Sequence, residues 1–154
     1  MLKGALIGCG FFSHNHLHAW RQLAGVQIVA LCDLDEQRLA ETAGAFQIPR
    51  TYRDASALFA SEPLDFVDIA TTANSHRALV EMAAAARVPC ICQKPLAPTL
   101  ADAEGMVEAC AGAGVPLMVH ENFRWQTPVQ AVRRAIDDGA IGTPFWGRFS
   151  FRSA

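Results

Sequence analysis

The stretch Leu2-Lys3-Gly4-Ala5-Leu6-Ile7-Gly8-Cys9-Gly10-Phe11-Phe12-Ser13 decides how the rest of the chain is read. A short apolar run feeds directly into G-x-G-x-x-S. In a strand–turn–helix that cradles a dinucleotide, the first glycine permits a tight turn and the second lets backbone approach a pyrophosphate. The third motif position is kept small so that helix and strand pack closely. Here it is Ser13, whose hydroxyl is expected to cap the helix or to bond a phosphate oxygen. A second apolar run, Val26–Cys32, leads into Asp33, twenty positions after Ser13. That spacing suits an acid on the ribose hydroxyls. The other reading of Asp33 is a plain helix cap at a strand end.

The chain has 154 residues, 51% of them hydrophobic and 18% charged. That is one domain's worth of sequence with enough apolar side chain for a full core. The net charge of −2 leaves no basic footprint for nucleic acid or an anionic membrane. Five cysteines lie at scattered, mostly apolar positions, which fits reduced thiols better than a disulfide framework. Cys90 and Cys92 read as packed strand residues. His14 and His18 could share a helix face, yet no carboxylate or third ligand is placed beside them, so no metal site is expected. Leu6-Ile7-Gly8-Cys9 looks like a lipoprotein cleavage box, but too few residues precede it for a signal segment. No apolar run reaches membrane-spanning length, and a cytoplasmic protein is expected.

Outward from the first turn, helix and strand signals alternate. Leu17, Trp20 and Ala24 mark one face of a helix closed by Gly25. Asp35 is placed to cap a helix with Leu39, Ala43 and Phe46 inward, stopped by Pro49. Residues 51–53 are a short strand, and Asp54 caps a small helix through Leu58. Residues 64–70 read as a buried strand despite two aspartates. The polar turn 71–76 opens a helix with Leu79, Met82, Ala83 and Ala86 inward. Residues 88–92 form a strand running into Gln93-Lys94-Pro95. Thr99 and Asp102 form a capping box for a helix showing Leu100, Ala103, Val107 and Cys110 on one face. A strand over 115–119 and a helix over 128–138, with Val129, Val132 and Ile136 inward, complete the series.

Six strand signals alternating with helices specify an α/β fold with a doubly wound parallel sheet, Rossmann-like, of strand order 3-2-1-4-5-6. The strands are continuous apolar runs, as a sheet covered on both faces requires. The expected division is a dinucleotide-binding domain over 1–142 followed, over 143–154, by the first strand of a second α/β domain that the chain does not contain. Residues 145–152 alternate with period two, placing Phe145, Phe149 and Phe151 on one face. Such a strand is an apolar edge liable to self-association.

Polar residues gather where strands should end: Gly8 to Phe12, Asp33, Thr71 to His76, Gln93-Lys94, and Glu121-Asn122 with Arg124. Loops at carboxyl strand ends host ligands in this architecture. Four stretches then stand out: ALIGCGFFSHNH, VALCDLD, DIATTANSHRALVEMAAAARVPCICQKPLA and VHENFRWQTP. In pattern and order, over nearly the whole chain, the sequence resembles the N-terminal domain of the Gfo/Idh/MocA oxidoreductase family.

The resemblance implies an NAD(P)-binding domain and hydride transfer between nicotinamide and a secondary alcohol or carbonyl of a sugar, cyclitol or related polyol. The family's Glu-Lys-Pro falls on Gln93-Lys94-Pro95. Lys94 then lies between nicotinamide and substrate as the catalytic cation that stabilises the reacting oxygen. Gln93 departs from the family acid; it can hydrogen-bond the ribose or orient Lys94 but cannot hold the lysine by charge. The resemblance also places Gly8, Gly10, Phe11, Phe12, Asp33, Thr71, Asn74, His76, Gln93, Lys94, Asn122 and Arg124 at the cofactor. His76 reads equally as a satisfied helix-start residue, and Arg124 as a solvated charge. The family's general base lies in the second domain and falls on no residue here. NAD is the expected cofactor, because Asp33 would repel a 2′-phosphate; Arg38, one turn later, leaves NADP open. The expected partners are a small sugar or polyol and further copies of the chain in a homo-oligomer, with no nucleic acid and no membrane. The alternative is a non-catalytic dinucleotide-binding sensor or regulatory subunit on the same fold.

Overall fold

The structure is a computed structural model and describes residues 1–150. The chain divides at His120 into two compact units. The first, Met1–His120, is a six-stranded parallel sheet of order β3-β2-β1-β4-β5-β6, as the alternating signals require. Its strands are β1 (Leu2–Ile7), β2 (Val26–Cys32), β3 (Arg50–Tyr52), β4 (Phe66–Ile69), β5 (Cys90–Gln93) and β6 (Leu117–His120). Between them run α1 (Ser13–Gln22), α2 (Glu36–Phe46), α3 (Ala55–Ser61), α4 (Ala73–Ala85) and α5 (Leu100–Ala113).

β1 is central, paired with β2 on one side (Ile7 opposite Cys32) and β4 on the other (Ile7 opposite Ile69). Successive strand residues point to opposite faces, so β1 feeds two cores. Ala5 and Ile7 face one side, where Leu58 of α3, Val80 and Ala83 of α4, and Met106 of α5 cover the sheet. Leu6 faces the other, with Leu17 of α1 and Leu39 and Phe46 of α2. Removing the side chain of a fully buried residue such as Leu6 or Leu58 costs about 2–5 kcal/mol. Gly4 serves packing: a Cβ there would lie 2.2 Å from Cζ of Phe66, whose ring occupies that space.

Local chemistry sets the helix starts. Asp35 Oδ1 accepts the Gln37 and Arg38 amides, Asp54 Oδ1 accepts the Ser56 amide, and Thr99 Oγ1 accepts the Asp102 amide. Two stops differ from expectation. α2 ends at Phe46 because Gln47 takes the left-handed conformation (φ 54°), before Pro49 is reached. α1 ends at Gln22, so Ala24 lies beyond it and is exposed.

Two inner faces also need correction. α4 buries His76, Val80, Ala83 and Ala84. Met82, expected inward, is 39% exposed. α5 buries Met106 and Cys110, while Leu100 and Val107 are exposed. Both helices are Ala-rich, so apolar residues lie on every side and periodicity alone selects no face.

The second unit holds a 3-10 turn, Phe123–Trp125, and α6 (Thr127–Asp137). α6 is amphipathic, but Val129, Val132 and Ile136, expected inward, are exposed. The described part of the expected tail strand, residues 143–150, contains no strand. A strand exists only through its ladder, and no described strand pairs with this segment. Phe151 and Arg152 lie outside the described residues.

Candidate functional site

β1, β2 and β4 converge where the strand order reverses, and their carboxyl ends border a groove of about 540 Å³. Gly8, Gly10, Phe11, Phe12, Asp33 and Thr71 all line it. It is the crevice that a parallel α/β sheet leaves when neighbouring crossovers go to opposite faces. The turn after β1 explains its glycines. Gly8 has φ +100°, and a Cβ there would meet the Ala70 carbonyl carbon and oxygen at 2.9 Å. Gly10 differs: a Cβ there would find no heavy atom within 4 Å. Its bare backbone faces open space at the start of α1, whose first turn carries no acid. A helix N-terminus approached past such a glycine receives a pyrophosphate, so the groove fits a dinucleotide.

Ser13 plays neither expected part. It is the first residue of α1, fully buried, and its hydroxyl donates to the Gly10 carbonyl at 2.5 Å. It pins the turn and takes its close-packing role through size. Asp33 sits at the other end of the groove and is already half engaged. Its Oδ2 accepts the Cys9 amide at 2.6 Å and its Oδ1 accepts the Asp35 amide at 2.8 Å. Each oxygen keeps lone-pair capacity for a ribose hydroxyl. Two guanidiniums, Arg38 and Arg53, share the lining. They pair with Asp35 and Glu36 at 3.2 and 3.5 Å, in exposed contacts that hold them weakly.

The remaining sequence candidates lie elsewhere. His76 is fully buried beneath the groove wall, with Nε2 facing the Thr71 carbonyl and Nδ1 the Leu96 carbonyl at 3.1 and 3.0 Å. A neutral imidazole donates to one of these two carbonyls, and the buried ring is not part of the groove lining. Asn74 lines a separate depression with Arg77 and Asp102. Gln93 is buried at the end of β5, and the exposed Lys94 follows it. In the second unit, Asn122 caps the 3-10 turn and Arg124 lies over the Trp125 ring at 5.1 Å. Arg53, Asp54 and Met82 line the groove although the sequence marked Asp54 only as a helix cap, Met82 only as an inward helix residue, and Arg53 not at all. No local signal assigns them to a site; the turn after β3 and helix α4 carry them there.

The three histidines at the start of α1 separate by environment. His14 and His18 both pack against Phe46, with ring centroids 5.3 and 5.0 Å away. His16 is buried, with Nδ1 2.9 Å from Asp68 Oδ2 and Nε2 3.1 Å from Gln93 Nε2. Sequence reading gave no signal for this cluster, since Asp68 lies on β4, 52 positions away. The thiols are all buried. Burial and then the neighbouring Asp33 push Cys9 and Cys32 up to about 12. Burial and then Asp68 push Cys92 up to about 12. None of these three is poised as a nucleophile.

Fold and groove together define a dinucleotide-binding domain. The chain belongs to the Gfo/Idh/MocA oxidoreductase family, with an NAD-binding Rossmann fold; the family model matches residues 2–121. It is similar to D-apiose dehydrogenase of Paraburkholderia graminis, 71% identical over 152 residues, covering 99% of this chain and 40% of that protein. A D-apiose dehydrogenase of Rhizobium rhizogenes is 64% identical over 99% of this chain and 44% of its own length. Among solved structures, an oxidoreductase of Agrobacterium radiobacter in complex with NAD+, L-tartaric acid and magnesium superposes with TM-score 0.92. It is 62% identical, over 94% of this chain and 42% of that one. The WlbA dehydrogenase of Bordetella pertussis, in complex with NADH and UDP-GlcNAcA, gives TM-score 0.87 at 30% identity, over 92% of this chain and 43% of that one. The chain therefore spans less than half the length of these relatives.

Proposed function

We propose that this chain is the cofactor-binding part of an NAD-dependent dehydrogenase acting on a small sugar, with D-apiose or a closely similar pentose as substrate. The observation that carries the reading is the 71% identity, over 99% of the chain, to a D-apiose dehydrogenase. The groove supports NAD: Gly8 and Gly10 shape the turn for a pyrophosphate, and the Asp33 carboxylate faces the ribose end. The bound nicotinamide supplies the hydride acceptor. Lys94, exposed after β5, stabilises the reacting oxygen as charge develops on it. Thr71 and Phe12 form walls of the groove, and Gln93 holds the backbone of Lys94.

Asn122 and Arg124 are proposed to reach the nicotinamide and the substrate mouth in the assembled enzyme. Asn122 Oδ1 is buried without a hydrogen-bond partner among the described residues, which leaves it an acceptor to offer. Residues 1–142 serve as the cofactor domain, and 143–154 open the substrate domain. Phe145 and Phe149, almost wholly exposed, support pairing with further protein there and a homo-oligomeric assembly. The protein is proposed to work in the cytoplasm, and no described helix is long and apolar enough to cross a membrane. The sensor reading is not favoured, since the relatives are dehydrogenases.

The test is NADH formation by an active form, extended to the length of its relatives, with D-apiose and myo-inositol compared. Preference for D-apiose is expected. Equal or greater turnover of the cyclitol would overturn the substrate assignment.

A further inference from the structure

A buried chain of hydrogen bonds runs from the middle of the sheet to the backbone of Lys94. The direction of every link follows from one fixed donor. The Lys94 amide N–H donates to the Gln93 side chain at 2.7 Å, so the atom receiving it is the carbonyl oxygen, Oε1. The other end of that amide is therefore NH2, and it lies 3.1 Å from His16 Nε2. An amide NH2 only donates, so His16 Nε2 accepts through its lone pair. The ring proton then sits on Nδ1 and is donated to Asp68 Oδ2 at 2.9 Å. Trp20 Nε1 donates to the same oxygen at 2.7 Å, fixing the carboxylate from a second side. The rings of Phe12 and His120 pack edge-on against His16, with centroids 5.5 and 4.4 Å away. His16, Asp68 and Gln93 are each more than nine-tenths buried.

We propose that His16 and Asp68 are positioning residues for Lys94, acting through the Gln93 amide. The proposal rests on the catalytic reading of Lys94. It makes residues 16 and 93 a matched pair. A carboxylate at 93 would have no hydrogen to give His16 Nε2 and would bring two sets of lone pairs together in a buried space. An amide satisfies the ring nitrogen and the Lys94 backbone at once. The titratable groups facing His16 are Asp68 from β4 and His120 from the end of β6; the turn before α1 contributes Phe12 and α1 itself Trp20, both uncharged.

The first test needs no variant. Nitrogen NMR of the 154-residue chain should show His16 protonated on Nδ1 and bare on Nε2, with a coupling across the bond to the Gln93 side-chain nitrogen. A proton on Nε2 would overturn the hydrogen-bond order. The second test uses the active, extended form. Gln93→Glu should lower kcat about tenfold and lower the melting temperature, with the NAD Kd nearly unchanged. In a His16→Phe background, which removes the ring lone pair, the same change should cost little further. A fall in NAD affinity matching the fall in kcat, or multiplicative losses in kcat in the double variant, would reduce His16 to a structural role and overturn the proposal. Unchanged kcat in Lys94→Met overturns the catalytic reading and the positioning claim with it. The NMR result separates that outcome from a wrong hydrogen-bond order.

Discussion

Asp33 Oδ2 accepts the backbone N–H of Cys9 at 2.6 Å, so the residue at the end of β2 clamps the turn after β1. The ends of β1 and β2 that border the groove are thus one hydrogen-bonded piece. Asp33→Asn replaces one accepting oxygen by a donor, which cannot satisfy both amides. Loss of charge-assisted bonds of this kind costs about 1.5–3 kcal/mol each. We expect a lower melting temperature and NAD affinity weakened about tenfold or more. Affinity for NADP should fall less, because Arg38 and Arg53 remain in the lining. Calorimetric titration with both dinucleotides checks the ratio, and an unchanged preference would remove Asp33 from the discrimination.

The two turn glycines should separate stability from binding. Gly8→Ala introduces a Cβ 2.9 Å from Ala70 backbone at φ +100°. It is expected to destabilise the domain by about 1–3 kcal/mol or more. Gly10→Ala meets nothing within 4 Å and should leave the melting temperature almost unmoved. NAD affinity should still drop, because the proposed binding mode brings the pyrophosphate against that position. Thermal melts beside titrations of both variants decide this; full NAD binding by Gly10→Ala would mean that the cofactor does not pass that glycine.

Lys94 is exposed, and its side chain makes no contribution to either core. Lys94→Met should therefore leave folding and NAD affinity nearly intact. In an active, extended form it should cut kcat by on the order of a hundredfold or more, the scale of losing one electrostatic stabiliser of the transition state. Parallel kcat, KM and NAD Kd measurements test the split.

The cysteines predict the alkaline limit of the fold. Cys9, Cys32 and Cys92 ionise at about 12 in the folded chain against an ordinary value of 9.0, and burial raises Cys90 as well. Above about pH 9 the unfolded chain loses thiol protons that the folded chain keeps. Stability should therefore be full below that pH and fall as pH rises toward 12. Denaturant titrations at rising pH measure this slope. Near neutral pH the native chain should resist thiol reagents, whereas the denatured chain should react at all five cysteines.

Much of the fold was legible because strand and crossover signals are local. Apolar runs ending in glycine or aspartate mark β1 and β2, and side-chain caps at Asp35, Asp54 and Thr99 mark helix starts. Strand order followed from reading the chain as two successive halves with right-handed crossovers. Helix faces were harder to read. In α4 and α5 the run of alanines left no apolar stripe, and packing against the sheet chose Val80 and Met106 over Met82 and Val107.

By itself the sequence determined the sheet, its order, the Gly8–Gly10 turn and Asp33, because each depends on residues close in the chain or on a rule that the chain's handedness imposes. Only the tertiary structure decided what those residues do together. It turned Ser13 into a clasp on Gly10 and closed His76 between two carbonyls. It joined His16, Asp68 and Gln93, spread over 77 positions, into one buried network. Such contacts form between side chains of neighbouring strands and the helix above them, and no spacing along the sequence encodes that distance.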